Sequence, residues 1–103
     1  MKKYKVYLSG GMTGIPKKNA PLFNRAAKKL RSQGYVVVNP IELDKKIKCT
    51  TWEECLKRDL TELFKCDAIV LLPGWEKSKG ARLEKYNADK LGLTGWFYLD
   101  GGA

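Results

Sequence analysis

The chain has 103 residues, 44% of them apolar and 30% charged, a net charge of +9 and no histidine. That balance suits one small globular domain with a single core and excludes a disordered chain. The missing histidine excludes Ser-His-Asp and Cys-His catalysis and removes the commonest zinc ligand, so acid–base work falls to carboxylates, Tyr, Lys or Cys.

The opening MKKYKVYLSGG has lysines followed by apolar residues, as a signal peptide does. Its apolar part is short and contains Lys5, so it reads as a first strand over 4–10. A helix follows over 19–34: Asn19 can cap it, Phe23, Ala26, Ala27 and Leu30 form its buried stripe, and Gly34 ends it. YVVVNP, 35–40, is a buried strand stopped by Pro40, and a polar loop runs on to Thr50. TWEE, 51–54, is a capping box in which Thr51 caps and Glu54 reaches back, opening a helix to about Lys65. CDAIVLLPG, 66–74, is the expected central strand, nearly all apolar as a strand between two helical layers must be. A third helix spans Gly80 to Leu91, ended by Gly92, and GWFYL, 95–99, is a last strand.

This β-α-β-α-β-α-β order predicts a three-layer α/β sandwich, flavodoxin- or Rossmann-like, with a parallel sheet of about four strands in the order 2-1-3-4. Ligands of such sheets bind beyond the carboxyl ends of the strands where the order reverses, here between the loops 10–18 and 74–79. No internal repeat, linker or low-complexity segment is visible over 1–103. The longest uninterrupted apolar run, 68–73, is too short to cross a bilayer, so no membrane is expected and the cytoplasm is the expected location. Three cysteines, Cys49, Cys55 and Cys66, are odd in number and irregular in spacing, which argues against a disulfide framework. The paired lysines read either as a solvated surface or as attraction for phosphate groups. No nucleic-acid-binding signature accompanies them, so a nucleic-acid partner is not expected.

Two helical acids stand out. Glu53, Glu54, Glu62 and Asp89 each have a basic residue three or four positions away, whereas Asp59 and Glu84 have none. Asp59 falls in the stripe Trp52, Leu56, Leu63, and Glu84 shares a face with Ala81, Ala88 and Leu91. Both are expected to point inward, unpaired, with raised pKa values. The bland alternative is that each binds a backbone amide. Two carboxylates in different surroundings fit glycosyl chemistry, one ionised and attacking the anomeric carbon, the other protonating the leaving group. Glu84, near the positive end of its helix, suits the nucleophile, and Asp59, deeper in an apolar seam, suits the acid. The glycines of SGGMTG let the backbone approach a ligand closely or make a plain strand-to-helix connection.

YLSGGMTG and KRDLTELFKCDAIVLLPGWEKSKGARLEKYNADKLG, in that order, resemble the nucleoside 2-deoxyribosyltransferase superfamily, which includes the 2′-deoxynucleoside 5′-phosphate N-hydrolases and small phage and bacterial relatives of no assigned activity. The resemblance covers roughly residues 4–94. It implies Glu84 as the nucleophile, Asp59 as the acid, and a sugar- and phosphate-binding loop comprising Ser9, Gly10, Gly11, Met12 and Gly14, completed by Ser78 and Gly80. Phosphate-preferring hydrolases of that superfamily carry a serine where this chain has Ser78, and transferases acting on free nucleosides carry an aspartate. A hydroxyl beside Lys77 and Lys79 at a helix N-terminus suits a 5′-phosphate, and Ser78 can equally cap the helix. The chain is shorter than typical members of the superfamily, in which a neighbouring subunit helps to close the site.

The expected function is cleavage of the N-glycosidic bond of a 2′-deoxyribonucleoside 5′-monophosphate, by hydrolysis or by transfer to another base, with no metal and no cofactor. The alternative is a non-catalytic nucleotide-binding module. The expected partners are the small-molecule nucleotide or nucleoside and further copies of the chain, through exposed Trp96, Phe97 and Tyr98.

Overall fold

The structure, a computed structural model, describes residues 3–99. Its four strands are β1 (Lys5–Ser9), β2 (Val36–Val38), β3 (Ala68–Leu71) and β4 (Thr94–Phe97). They form one all-parallel sheet in the order β2-β1-β3-β4, as the sequence predicts. Four helices connect and flank them: α1 (Ala20–Ser32), α2 (Pro40–Lys46), α3 (Trp52–Leu63) and α4 (Lys79–Lys90).

Strand alternation divides the core in two. Val6 and Leu8 of β1, with Ala68 and Val70 of β3, face Phe23, Ala26, Ala27 and Leu30 of α1 and Ile41 of α2. Tyr7 of β1, with Ile69 and Leu71 of β3, faces Leu63 of α3 and Ala88 of α4. Both faces of the central strands are therefore covered, which explains their continuous apolar runs. The same period of two puts Ser9 on the α3–α4 face along with Tyr7, and this positions the site.

Helix ends follow local chemistry. Thr51 accepts from the Glu54 amide at 3.1 Å while Glu54 reaches back to Thr51, completing the capping box. Ser78 accepts from the Ala81 amide at 3.1 Å and caps α4. Helix α2 was expected to be loop. Asn39 caps it by accepting from the Ile41 amide at 3.0 Å, and Pro40, expected to stop a strand, instead occupies the first helical position with its φ already set.

Further expectations are corrected. Leu91 lies outside the inward face of α4 and is 56% exposed. Trp52 is largely exposed at the start of α3, whereas Trp96 and Tyr98 are half-buried against the α1 side of the sheet, leaving Phe97 exposed. Cys49 and Cys55 form a disulfide that joins the α2–α3 loop to the second turn of α3, with Cα atoms 5.3 Å apart. Among the described residues it is a single cross-link, not the framework that the cysteine count argued against, and the sequence did not anticipate it. No described helix is long and apolar enough to cross a membrane.

Candidate active site

At the carboxyl ends of β1 and β3 a cleft of about 1020 Å³ opens between the loop after β1, the α2–α3 loop, the first turns of α3 and the N-terminus of α4. Its polar centre is assembled from below. Tyr7 and Ser9 alternate with apolar residues on β1, so both side chains rise on the α3–α4 face, and both are buried. There they meet Glu84, carried inward from the second turn of α4 between Ala81 and Ala88. Ser9 Oγ donates to Glu84 Oε1 at 2.6 Å, and Tyr7 Oη donates to Glu84 Oε2 at 2.7 Å.

Asp59 lies across the cleft on α3 and is buried, as expected, but it is not unpaired. The guanidinium of Arg58 donates to Asp59 Oδ1 from Nε at 2.9 Å and from Nη2 at 2.8 Å. Arg58 also contacts Asp44 Oδ1 at 2.8 Å, so it serves neither Glu54 nor Glu62, as helical spacing had suggested. Glu62 pairs with Lys65, and Asp89 with Lys85.

These surroundings separate the two carboxyls. Burial pushes the Glu84 pKa up to about 8, although the Ser9 and Tyr7 donors favour its ionised form. Burial also raises Asp59, but Arg58 offsets part of this and the group reaches about 6. The Tyr7 hydroxyl, although it donates to Glu84, also favours ionised Asp59. Tyr7 itself is raised well above its ordinary value, first by burial and then by the two carboxylates. Of the two, Glu84 is thus the weaker acid and the readier to hold a proton near neutral pH, the reverse of the assignment expected from helix position.

The other expected residues divide. Gly10, Gly11, Met12, Gly14, Ser78 and Gly80 all line this cleft. Ser9 does not face it as a phosphate ligand, because its hydroxyl is committed to Glu84. A Cβ on Gly10 would stand 3.0 Å from Leu72 Cβ, so that glycine makes room for the residue that follows β3. Gly14, at φ +78°, supplies the left-handed turn that side chains resist. Lys18, Lys77 and Lys79 also line the cleft, with the Lys79 ammonium 4.6 Å from the centre of the Trp52 ring. Among the described residues no cluster of His, Cys, Asp or Glu side chains has the composition to hold a metal ion.

Sequence reasoning missed Tyr7, Arg58, Asp44 and Trp52. Tyr7 and Ser9 left one signal: two polar-tipped residues at i and i+2, alternating with apolar Val6 and Leu8. Arg58 was overlooked because immediate neighbours on a helix do not ordinarily face each other. Its long side chain folds back to reach the next carboxylate.

A family model described as Domain of unknown function (DUF4406) matches residues 4–95. The chain belongs to that family. The match runs from just before β1 into β4, so the DUF4406 region contains every residue of the cleft centre. No curated protein matches this DUF4406 chain at a significant level.

Proposed function

We propose that the protein cleaves the N-glycosidic bond of 2′-deoxyribonucleoside 5′-monophosphates, with Glu84 as nucleophile and Asp59 as proton donor. One observation carries this reading: two buried carboxyls of unequal acidity, one held by the Ser9 and Tyr7 hydroxyls and the other by Arg58, in a cleft also lined by lysines. The resemblance to the deoxyribosyltransferase superfamily supports the same roles.

Between the pKa values near 6 and 8 the pair carries one proton, held at rest by Glu84. Attack needs that proton on Asp59. Tyr7, which donates to Glu84 Oε2, relays it by turning its hydroxyl towards Asp59, its oxygen accepting the Glu84 proton as its own hydrogen passes on. The redistribution moves the proton to the stronger of the two acids, a cost small beside a glycosidic barrier. Ionised Glu84 then attacks C1′, the C1′–N bond breaks, and the departing base takes the Asp59 proton. Asp59, now a carboxylate, deprotonates a water that attacks C1′, frees deoxyribose 5-phosphate and restores Glu84 as the leaving carboxylate. Another base in place of water gives transfer. The α4 N-terminus, Lys77 and Lys79 bear the 5′-phosphate.

Incubation with the four 2′-deoxynucleoside monophosphates, followed by chromatography for free base, tests the reading. Free base from the wild type and none from Glu84→Ala supports it. No base from any of the four, together with a nucleotide-induced rise in melting temperature, replaces it with a nucleotide-binding module.

A further inference from the structure

Neither the attack nor the protonation uses Arg58, yet its buried side chain has five contacts. Nε and Nη2 both reach Oδ1 of Asp59, Nη2 reaches Asp44, and Nη1 donates to the Ile47 carbonyl at 3.0 Å and to Cys49 Sγ at 3.2 Å. One guanidinium therefore ties α3 to α2 and to the disulfide-closed loop between them. Its two Asp59 contacts converge on a single oxygen, so Oδ2 receives neither donor.

We infer that Arg58 is a positioning residue: by clamping Oδ1 of Asp59 in the ionised state it decides that the proton shared with Glu84 starts on Glu84, and it aims Oδ2 as the oxygen that exchanges that proton. The consequence for catalysis rests on the N-glycosidase reading, whereas the placement of the proton does not.

The groups facing Asp59 come from four elements. Arg58 on α3 and the Tyr7 hydroxyl on β1 favour its ionised form. Asp44 on α2, and Glu84 on α4 once ionised, oppose it, as does burial. Without the guanidinium, Tyr7 alone stands against burial and Asp44. The balance at Asp59 then moves towards the protonated form, and by more than at Glu84, whose ionised form the guanidinium also favours but without a direct contact. Lysine at position 58 would keep the charge but not the fork, and one ammonium cannot reproduce the two-donor clamp on Oδ1 together with the Asp44 and Ile47 contacts.

The test is a carboxyl 13C NMR titration of wild type, Arg58→Gln and Arg58→Lys, with Asp59→Asn to assign the resonance and amide spectra to confirm folding. Arg58→Gln should raise the Asp59 pKa by about 1–3. Arg58→Lys should raise it less, and this variant decides the matter if the glutamine form does not fold. For base release from deoxynucleoside monophosphates, the acidic limb of the pH profile should move by the same amount, with kcat reduced and KM unchanged. An Asp59 resonance that titrates as in wild type in the folded variants overturns the inference, whatever the turnover. A displaced titration in a protein that releases no base retains the inference and removes the N-glycosidase reading.

Discussion

Burying a carboxyl group between Tyr7 and Ser9 couples stability to pH. The folded-state pKa of Glu84 is about 8 against an ordinary value of 4.5, so between those values the folded chain holds a proton that the unfolded chain has released. Stability contributed by the protonated group is complete below pH 4.5 and falls as pH rises through about 8. Glu84→Gln removes this dependence. Its melting temperature should gain on that of the wild type from pH 5 to about pH 8 and level off above, and parallel curves would show that Glu84 titrates as an exposed acid. The same pair predicts a bell-shaped profile for kcat/KM, with limbs near 6 and 8 belonging jointly to Asp59 and Glu84. A flat profile across that range would exclude the shared-proton mechanism. At this scale the sequence revealed the two acids, because missing helical partners are visible in one dimension. It hid Tyr7 and Arg58, because a cross-element hydrogen bond and a side chain doubling back on its neighbour leave no periodic trace.

At the scale of elements, the loop after β1 and the start of α3 set the cleft. Gly10→Ala should destabilise the fold by about 1–3 kcal/mol, because the new Cβ meets the root of Leu72. Gly11→Ala should cost less, since its Cβ meets only the movable Cδ1 of Ile15. Equal denaturant midpoints for the two variants would contradict this packing. The Cys49–Cys55 bond closes a short loop, for which chain entropy gives about 2 kcal/mol. A dithiol reductant should therefore lower the melting temperature of the wild type and leave that of Cys55→Ser unchanged. Identical responses would show that the bond does not form in solution. Elements with complete local signals were legible: the Thr51 box announced α3, and apolar continuity announced β3. Helix α2 was not, because Asn39–Pro40 reads equally as the end of a strand and as the cap and first residue of a helix. The disulfide was missed because spacing alone does not reveal that the α2–α3 turn brings Cys49 back beside Cys55.

At the scale of the whole molecule, the charge of +9 gives an anionic ligand a favourable field on approach. KM for a deoxynucleoside monophosphate should rise with ionic strength, while KM for the corresponding nucleoside should not. Equal responses would show that the lysines at the rim do not engage the phosphate. The strand order 2-1-3-4 was legible because alternating elements and right-handed crossovers leave few arrangements. All four strands also run in one direction, so the start of β1 and the end of β4 have fixed places relative to the cleft. β1 begins at the end of the sheet opposite the cleft, whereas β4 finishes at the same end of the sheet as the cleft. A purification tag or reporter fused at the amino end would leave the mouth unobstructed. The same cargo fused after β4 would be delivered beside it, where a tethered nucleotide or fluorophore would report on occupancy.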